Sequence, residues 1–172
     1  MIVGRRKMSR SRDEEFEDDI EDTQKGKFLT FSLGKEFYGI SIEYVTEIIG
    51  ILPITEVPQV PEYIRGIVNL RGKIIPVMDM RLRFKKEFRE YNERTCIIVI
   101  DILGNSVGLI VDSVAEVTAI PEEDIVVPPM THLGSTNKYI MGIGKVGHEV
   151  KLLLDCQKLI DKEEIESLEL TI

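Results

Sequence analysis

Gly39-Ile-Ser-Ile-Glu-Tyr-Val-Thr-Glu-Ile48 returns further along the chain as Gly108-Leu-Ile-Val-Asp-Ser-Val-Ala-Glu-Val117. Both stretches read glycine, apolar, any, apolar, acid, any, valine, any, glutamate, apolar. Two more matches follow in the same order. Tyr63-Ile-Arg-Gly66-Ile pairs with Tyr139-Ile-Met-Gly142-Ile, and an apolar run ending at Asp79 pairs with one ending at Asp155. The first match is offset by 69 residues and the other two by 76, so the second copy carries about seven extra residues between Glu116 and Tyr139. Three ordered matches, two at one offset, indicate an internal duplication. The halves, Lys27 to Tyr91 and Arg94 to Asp161, are about 65 residues each, short for an independent core. The expectation is two small barrels packed tightly together, leaving a groove where their curved surfaces meet.

The segments around the repeat support a mainly β fold. Short runs rich in Val, Ile, Leu and Phe cover Phe28–Leu33, Phe37–Ile42, Val45–Ile49, Lys73–Met78, Thr95–Ile102, Val107–Val111, Val114–Ala119 and Val150–Leu154. Gly, Pro or polar residues separate most of them, the pattern of a barrel or sandwich. Gly34-Lys35 and Gly104-Asn105 sit where tight hairpins belong. Pro76 lies inside an apolar run and predicts an edge or irregular strand. Asp79 is placed to cap a short helix to Phe84, and Asp155 a matching one. A C-terminal helix is predicted from Asp161 to about Leu168, with an acidic first turn. Gly39 and Gly108 permit a bend or a close backbone approach. Identities shared by both halves belong to the fold, so specific function is sought where the halves differ.

The formal net charge of -8 opposes binding to nucleic acid or to an anionic membrane. A small β-barrel nucleic-acid binder also needs aromatic platforms, and aromatics make up only 6% of the chain. No apolar run approaches the roughly 20 residues needed to span a bilayer. Residues 1–26 form a separate segment in which Arg5, Arg6, Lys7, Arg10 and Arg12 precede the acidic block Asp13 to Asp22, and a disordered or loosely helical tail is expected there. Cys96 and Cys156 each sit in an apolar run and read as small buried hydrophobes of a reducing cytoplasm.

Catalytic signals are weak. His132 and His148 lack the spacing of a zinc site, and there is no nucleophile elbow or phosphate-binding glycine loop. No catalytic residue, cofactor or metal is expected. The distinctive polar stretch is Asn69-Leu-Arg-Gly-Lys73, whose counterpart, Gly144 to His148, has no arginine. The planar fork of Arg71 suits a carboxylate on a partner. A solvated turn with an internal salt bridge is the alternative. Val45 and Glu47, two apart on a strand, are expected on one face.

These motifs carry a resemblance. Phe31-x-Leu-Gly, Tyr38-Gly-Ile and Val45-x-Glu47-Ile are followed by Val57-Pro, Pro61-x-Tyr-Ile-x-Gly66, Asn69-Leu-Arg-Gly72 and Pro76-Val-x-Asp79-x-Arg81. The second half adds Val107-Gly-Leu-Ile-Val-Asp112-x-Val and Tyr139-Ile-x-Gly. From Lys27 to about Leu168 the chain resembles the CheW family of bacterial chemotaxis coupling proteins. The resemblance implies two SH3-like five-stranded barrels, about 27–91 and 94–161, within a domain that occupies 27–172. It also implies a cytoplasmic, non-enzymatic scaffold, monomeric when free, that is recruited to membrane receptor arrays through its partners. Those partners are the regulatory domain of the histidine kinase CheA and the cytoplasmic tip of methyl-accepting chemoreceptors. A related non-flagellar chemosensory pathway is the alternative setting. Receptor contact is carried over to Val45, Glu47, Ile48, Gly66, Leu70 and Arg71, and the groove wall or kinase side to Gly108, Val114 and Val117. The charged segment before Lys27 lies outside the family core.

Overall fold

The computed structural model describes residues 24–128, 138–160 and 163. Eleven strands are found among them: β1 (Lys27–Leu33), β2 (Glu36–Ser41), β3 (Val45–Gly50), β4 (Ile64–Leu70), β5 (Lys73–Asp79), β6 (Cys96–Ile102), β7 (Asn105–Val111), β8 (Ser113–Ala119), β9 (Ile125–Val126), β10 (Ile140–Val146) and β11 (Glu149–Leu154). Two short helices, α1 (Met80–Arg83) and α2 (Cys156–Leu159), follow β5 and β11. The mainly β reading holds. β4 and β10 are the long strands that the apolar runs do not mark. Each begins at the isoleucine of a Tyr-Ile-x-Gly match, whose glycine and neighbouring polar residues blur the strand period. The expected tail within 1–26, apart from 24–26, lies outside the described residues, as does the helix from Asp161 apart from Glu163.

The strands form two sheets, ordered β8-β1-β2-β11-β10-β9 and β3-β6-β7-β5-β4. This order corrects the expected barrel boundaries of 27–91 and 94–161. The five-stranded sheet is built from β3 to β7. The six-stranded sheet takes β1 and β2 from the start of the chain and β8 to β11 from its end. Each half of the duplication therefore gives its leading hairpin to the sheet completed by the other half. The pairings repeat accordingly. β1 pairs antiparallel with β8 as β6 does with β3, and β2 pairs parallel with β11 as β7 does with β5.

The connections explain the exchange. Only Asp112 separates β7 from β8, and even the tightest hairpin needs two loop residues, so the chain must run on into the other sheet. Between β2 and β3 lies the 3-10 turn Ile42–Tyr44, which carries no glycine or proline to reverse the chain.

The continuous apolar run 96–100 of β6 follows from burial on both faces. Ile97 and Val99 pack with Val68, Ile75, Val77 and Ile110 in the five-stranded barrel. Their neighbours Ile98, Ile100 and Ile102 join Leu29, Phe31 and Leu33 of β1 in the largest buried cluster, which both sheets share. A smaller cluster of Phe28, Ile120 and Leu153 belongs to the six-stranded barrel. Where the two sheets face each other, packed side chains join them, as the expected tight packing of two small barrels requires. Phe84, just after α1, extends this packing. It stacks on Tyr38 at a centroid distance of 5.3 Å and lies 5.7 Å from Tyr139.

Local signals behave as the chemistry requires, with two corrections. Asp79 caps α1 by accepting from the Arg81 and Leu82 N–H groups, and Asp155 caps α2 by accepting from Gln157 and Lys158. Both cysteines are free thiols, and burial pushes the Cys156 thiol up to about 12, with Asp155 adding to the shift. β5 is not an edge strand, but its ladder with β7 begins at Val77, so the donor that Pro76 lacks falls before that pairing starts. The β6–β7 turn is Leu103-Gly104, one residue earlier than expected, because Ile102 pairs with Asn105.

Candidate partner-binding surface

The two outer strands of the five-stranded sheet, β3 and β4, are brought together where the barrel closes. Past the end of β3, Thr55 exchanges two backbone hydrogen bonds of 2.9 Å with Ile67 on β4. Gly66 makes this approach possible. Its φ is 144°, and a Cβ there would overlap the Thr55 carbonyl.

A β-bulge in β3 sets which side chains share a face. Val45 pairs with Ile100 and Glu47 with Val99, so the register shifts between them. The expected alternation is therefore corrected. Val45 and Ile48 share the face of Ile100 and Ile98, while Glu47 turns to the opposite face. Val45 is half-buried against the shared cluster, and Ile48 is 44% exposed.

Arg71 reaches Glu47 from the β4–β5 turn and hydrogen-bonds its carboxylate. The internal ion pair that the sequence left as an alternative is thus formed. The Arg71 side chain is still 72% exposed and that of Glu47 29% exposed, so the guanidinium keeps donors facing solvent. Leu70, beside it, is half-buried against the barrel cluster.

The turn itself is unusual. Arg71 and Gly72 have φ of 52° and 86°, a left-handed pair of the type I′ hairpin class. Asn69 Oδ1 accepts the Gly72 N–H at 2.8 Å and braces it. Arginine in that conformation costs about 1 kcal/mol relative to glycine. The corresponding residue of the other barrel, at the 76-residue offset, is Gly147 with φ 61°. The β6–β7 turn repeats the contrast. Leu103 and Gly104 have φ of 53° and 85°, whereas the counterpart of Leu103, at the 69-residue offset, is Gly34.

Of the other expected contacts, Gly66 and Gly108 are corrected: both are buried and offer no surface to a partner. A Cβ on Gly108 would lie 2.7 Å from Ile97 Cγ2 and 2.9 Å from Val77 Cγ1, inside the barrel. Val114 and Val117 lie on β8 as the repeat mates of Val45 and Ile48. Val114 is half-buried against the shared cluster and Val117 is 55% exposed. The nine expected residues therefore divide among the edge of one barrel, the matching edge of the other, and two interior glycines.

A polar junction that sequence reasoning missed joins the barrels. The Arg81 guanidinium donates to both oxygens of Asp112, at 2.7 and 2.6 Å, with each side chain 16% exposed. Asp112 Oδ2 also accepts the Gly34 N–H of the β1–β2 turn at 2.7 Å. Burial pushes the Asp112 carboxyl up, but the Arg81 and Gly34 hydrogen bonds and the charges of Arg81 and Arg89 outweigh it and hold it below the usual carboxylate range. Asp79 accepts a 2.7 Å hydrogen bond from the Tyr91 hydroxyl, which fastens the segment after α1. The clue in sequence was the acid of the repeat, Asp112, and the arginine two residues after the helix-capping Asp79.

A pocket of about 280 Å³ lies near the barrel closure, lined by Ile51, Leu52, Ile54, Glu56, Arg65 and Tyr91. Among the described residues, no group of three or more His, Cys, Asp or Glu is placed to hold a metal ion. No described helix is long and apolar enough to cross a membrane. His132 lies outside the described residues.

Residues 27–164 match the family model of the CheW-like domain. The chemotaxis protein CheW of Klebsiella aerogenes is 37% identical over 139 residues, 81% of this chain and 84% of that protein. The Bacillus subtilis chemotaxis protein CheW is 33% identical over 141 residues, 82% and 90% of the two chains. Among solved structures, the scaffolding protein TtCheW from Thermoanaerobacter tengcongensis superposes with a TM-score of 0.72 at 38% identity, covering 81% of this chain and 90% of that one. The chain belongs to the CheW-like domain family.

Proposed function

We propose that this chain is a chemotaxis scaffold that works by binding alone, coupling the cytoplasmic tip of methyl-accepting chemoreceptors to the histidine kinase CheA. The observation that carries this reading is the exposed Arg71–Glu47 pair at the closure of one barrel, flanked by Ile48 and half-buried Val45. A receptor tip is a helical hairpin, which offers carboxylates and amides to an ion pair and an apolar stripe to the aliphatic residues. The chain's matches to chemotaxis CheW proteins and to a scaffolding protein support the same reading. Gly66 acts indirectly, by holding the Thr55 segment against β4 so that the site keeps its shape. The β8 edge, with Val114 and Val117, is assigned to the kinase side. Recruitment to the membrane then comes through the partners.

The test is a binding titration of the purified chain against a soluble receptor-tip fragment and, separately, the kinase regulatory domain. Glu47→Ala and Arg71→Ala are expected to weaken receptor-tip binding about tenfold while leaving the melting temperature within a few degrees. Undiminished receptor-tip binding by both variants would remove these residues from the site. Failure of the unaltered protein to bind either partner would overturn the scaffold reading.

A further inference from the structure

Two exposed side chains of the five-stranded barrel occupy left-handed turn positions at which the six-stranded barrel has glycine: Arg71 against Gly147, and Leu103 against Gly34. Arg71 belongs to the surface proposed above, and Leu103 belongs to nothing yet described. Leu103 is 69% exposed, an apolar side chain at a hairpin tip where both solvent and backbone favour another residue. Its turn is braced as the Arg71 turn is, with Asp101 Oδ1 accepting the Gly104 N–H at 3.0 Å.

The two turns open at the same end of the sheet. β5 and β7 are parallel neighbours, and Lys73 Nζ, just after one turn, donates at 2.8 Å to Ser106 Oγ, just after the other. The hairpin tips are two strand spacings apart, roughly 10 Å. That is close to two turns of an α-helix, about 11 Å, the distance between residues seven apart on one face.

We infer that Leu103 and Arg71 form a two-pronged contact for a single helix of the partner. The helix presents an apolar side chain to Leu103 and, about seven positions along the same face, a carboxylate to Arg71. This inference rests on the receptor reading and extends it: Leu103 becomes the apolar anchor of that site, and the partner's sequence acquires a required spacing.

The experiment titrates the full chain and its variants with a soluble, helical-hairpin receptor-tip fragment, and records a thermal melt of each protein. Leu103→Gly removes the side chain and relaxes the backbone. The expected result is about tenfold weaker binding with a melting temperature equal to or above that of the unaltered chain. Leu103→Asp is expected to weaken binding further, by repelling the partner's carboxylate. Binding of Leu103→Gly within twofold of the unaltered protein overturns the inference, as does a lowered melting temperature, which would assign Leu103 to the fold. If Glu47→Ala and Arg71→Ala weaken binding while Leu103→Gly does not, only the anchor fails. If the unaltered chain does not bind the fragment, the receptor reading fails and the anchor with it.

Discussion

The two barrels share a strand plan and differ at their edges. On β3, Glu47 finds Arg71, while the repeat mates of this pair are Glu116 on β8 and Gly147, which has no side chain to offer. Both strands bulge at the same place, and both present a valine against the shared core followed by an exposed aliphatic residue. The duplicated parts hold the fold, and a few unduplicated side chains at two turn tips make one edge unlike the other. Duplication followed by such small divergence leaves two different edges on one strand plan.

The sharpest way to break the comparison is to cut the chain at its sequence repeat. Fragments 24–91 and 93–172 each lack strands needed by both sheets. Neither is expected to unfold cooperatively alone in circular dichroism, and mixing them is expected to restore a melt. A fragment that folds alone would show that the hairpin exchange is dispensable.

A smaller effect comes from the equivalent glycines. Gly66→Ala meets the backbone carbonyl of Thr55 and has an unfavourable φ, so a loss of about 3 kcal/mol or more is expected by chemical denaturation. At Gly142 the nearest obstacle to a new Cβ is Ile125 Cγ2, at 2.6 Å, a side-chain atom that can shift. The corresponding loss is about 1–2 kcal/mol.

The junction at Asp112 comes next. Its repeat mate is Glu43, and the mate of Arg81 is Gln157, so the bidentate pair exists on one side only. Asp112→Asn is expected to cost about 2 kcal/mol at pH 7, less than for a fully buried pair because both partners retain some exposure. The carboxyl is held below its ordinary value. Its contribution is therefore present above the unfolded-state pKa of about 4 and fades as the pH falls through the folded-state value. The acid limb of the stability profile should be shallower in Asp112→Asn. Glu43→Gln is expected to change stability by less than about 0.5 kcal/mol.

The smallest effect is the most diagnostic of the turns. Arg71→Gly copies the turn of the other barrel and is expected to raise stability by up to about 1 kcal/mol, measured by urea titration. The reciprocal Gly147→Arg should lower it by a similar amount.

Much of this was legible in the sequence, because duplication leaves matches at fixed offsets and strands leave alternating or continuous apolar runs. The cap at Asp79 and the ion-pair option for Arg71 followed from side-chain chemistry and the turn pattern alone. Strand partnership did not, since β2 carries no mark that says whether it pairs with β3 or with β11, 114 residues further on. The bulge at Thr46 was equally silent, and it reversed the face of Glu47. Leu103 lay between the apolar run ending at Ile102 and the hairpin expected at Gly104-Asn105, and only the register places it at the tip.

The exchanged hairpins also set an order of assembly as the chain leaves the ribosome. Residues 45–111, which hold every strand of the five-stranded sheet, emerge as one uninterrupted stretch and can pair at once. The hairpin made first, β1–β2, must wait for β8 and then for β11, the last strand among the described residues. Before residue 154 is free, Leu29, Phe31 and Leu33 of β1 already have cluster partners in Ile98, Ile100 and Leu109 of the five-stranded sheet. Weakening the packing that joins the barrels leaves the β1 side chains without these partners during synthesis, and is expected to appear first as a lower yield of soluble protein.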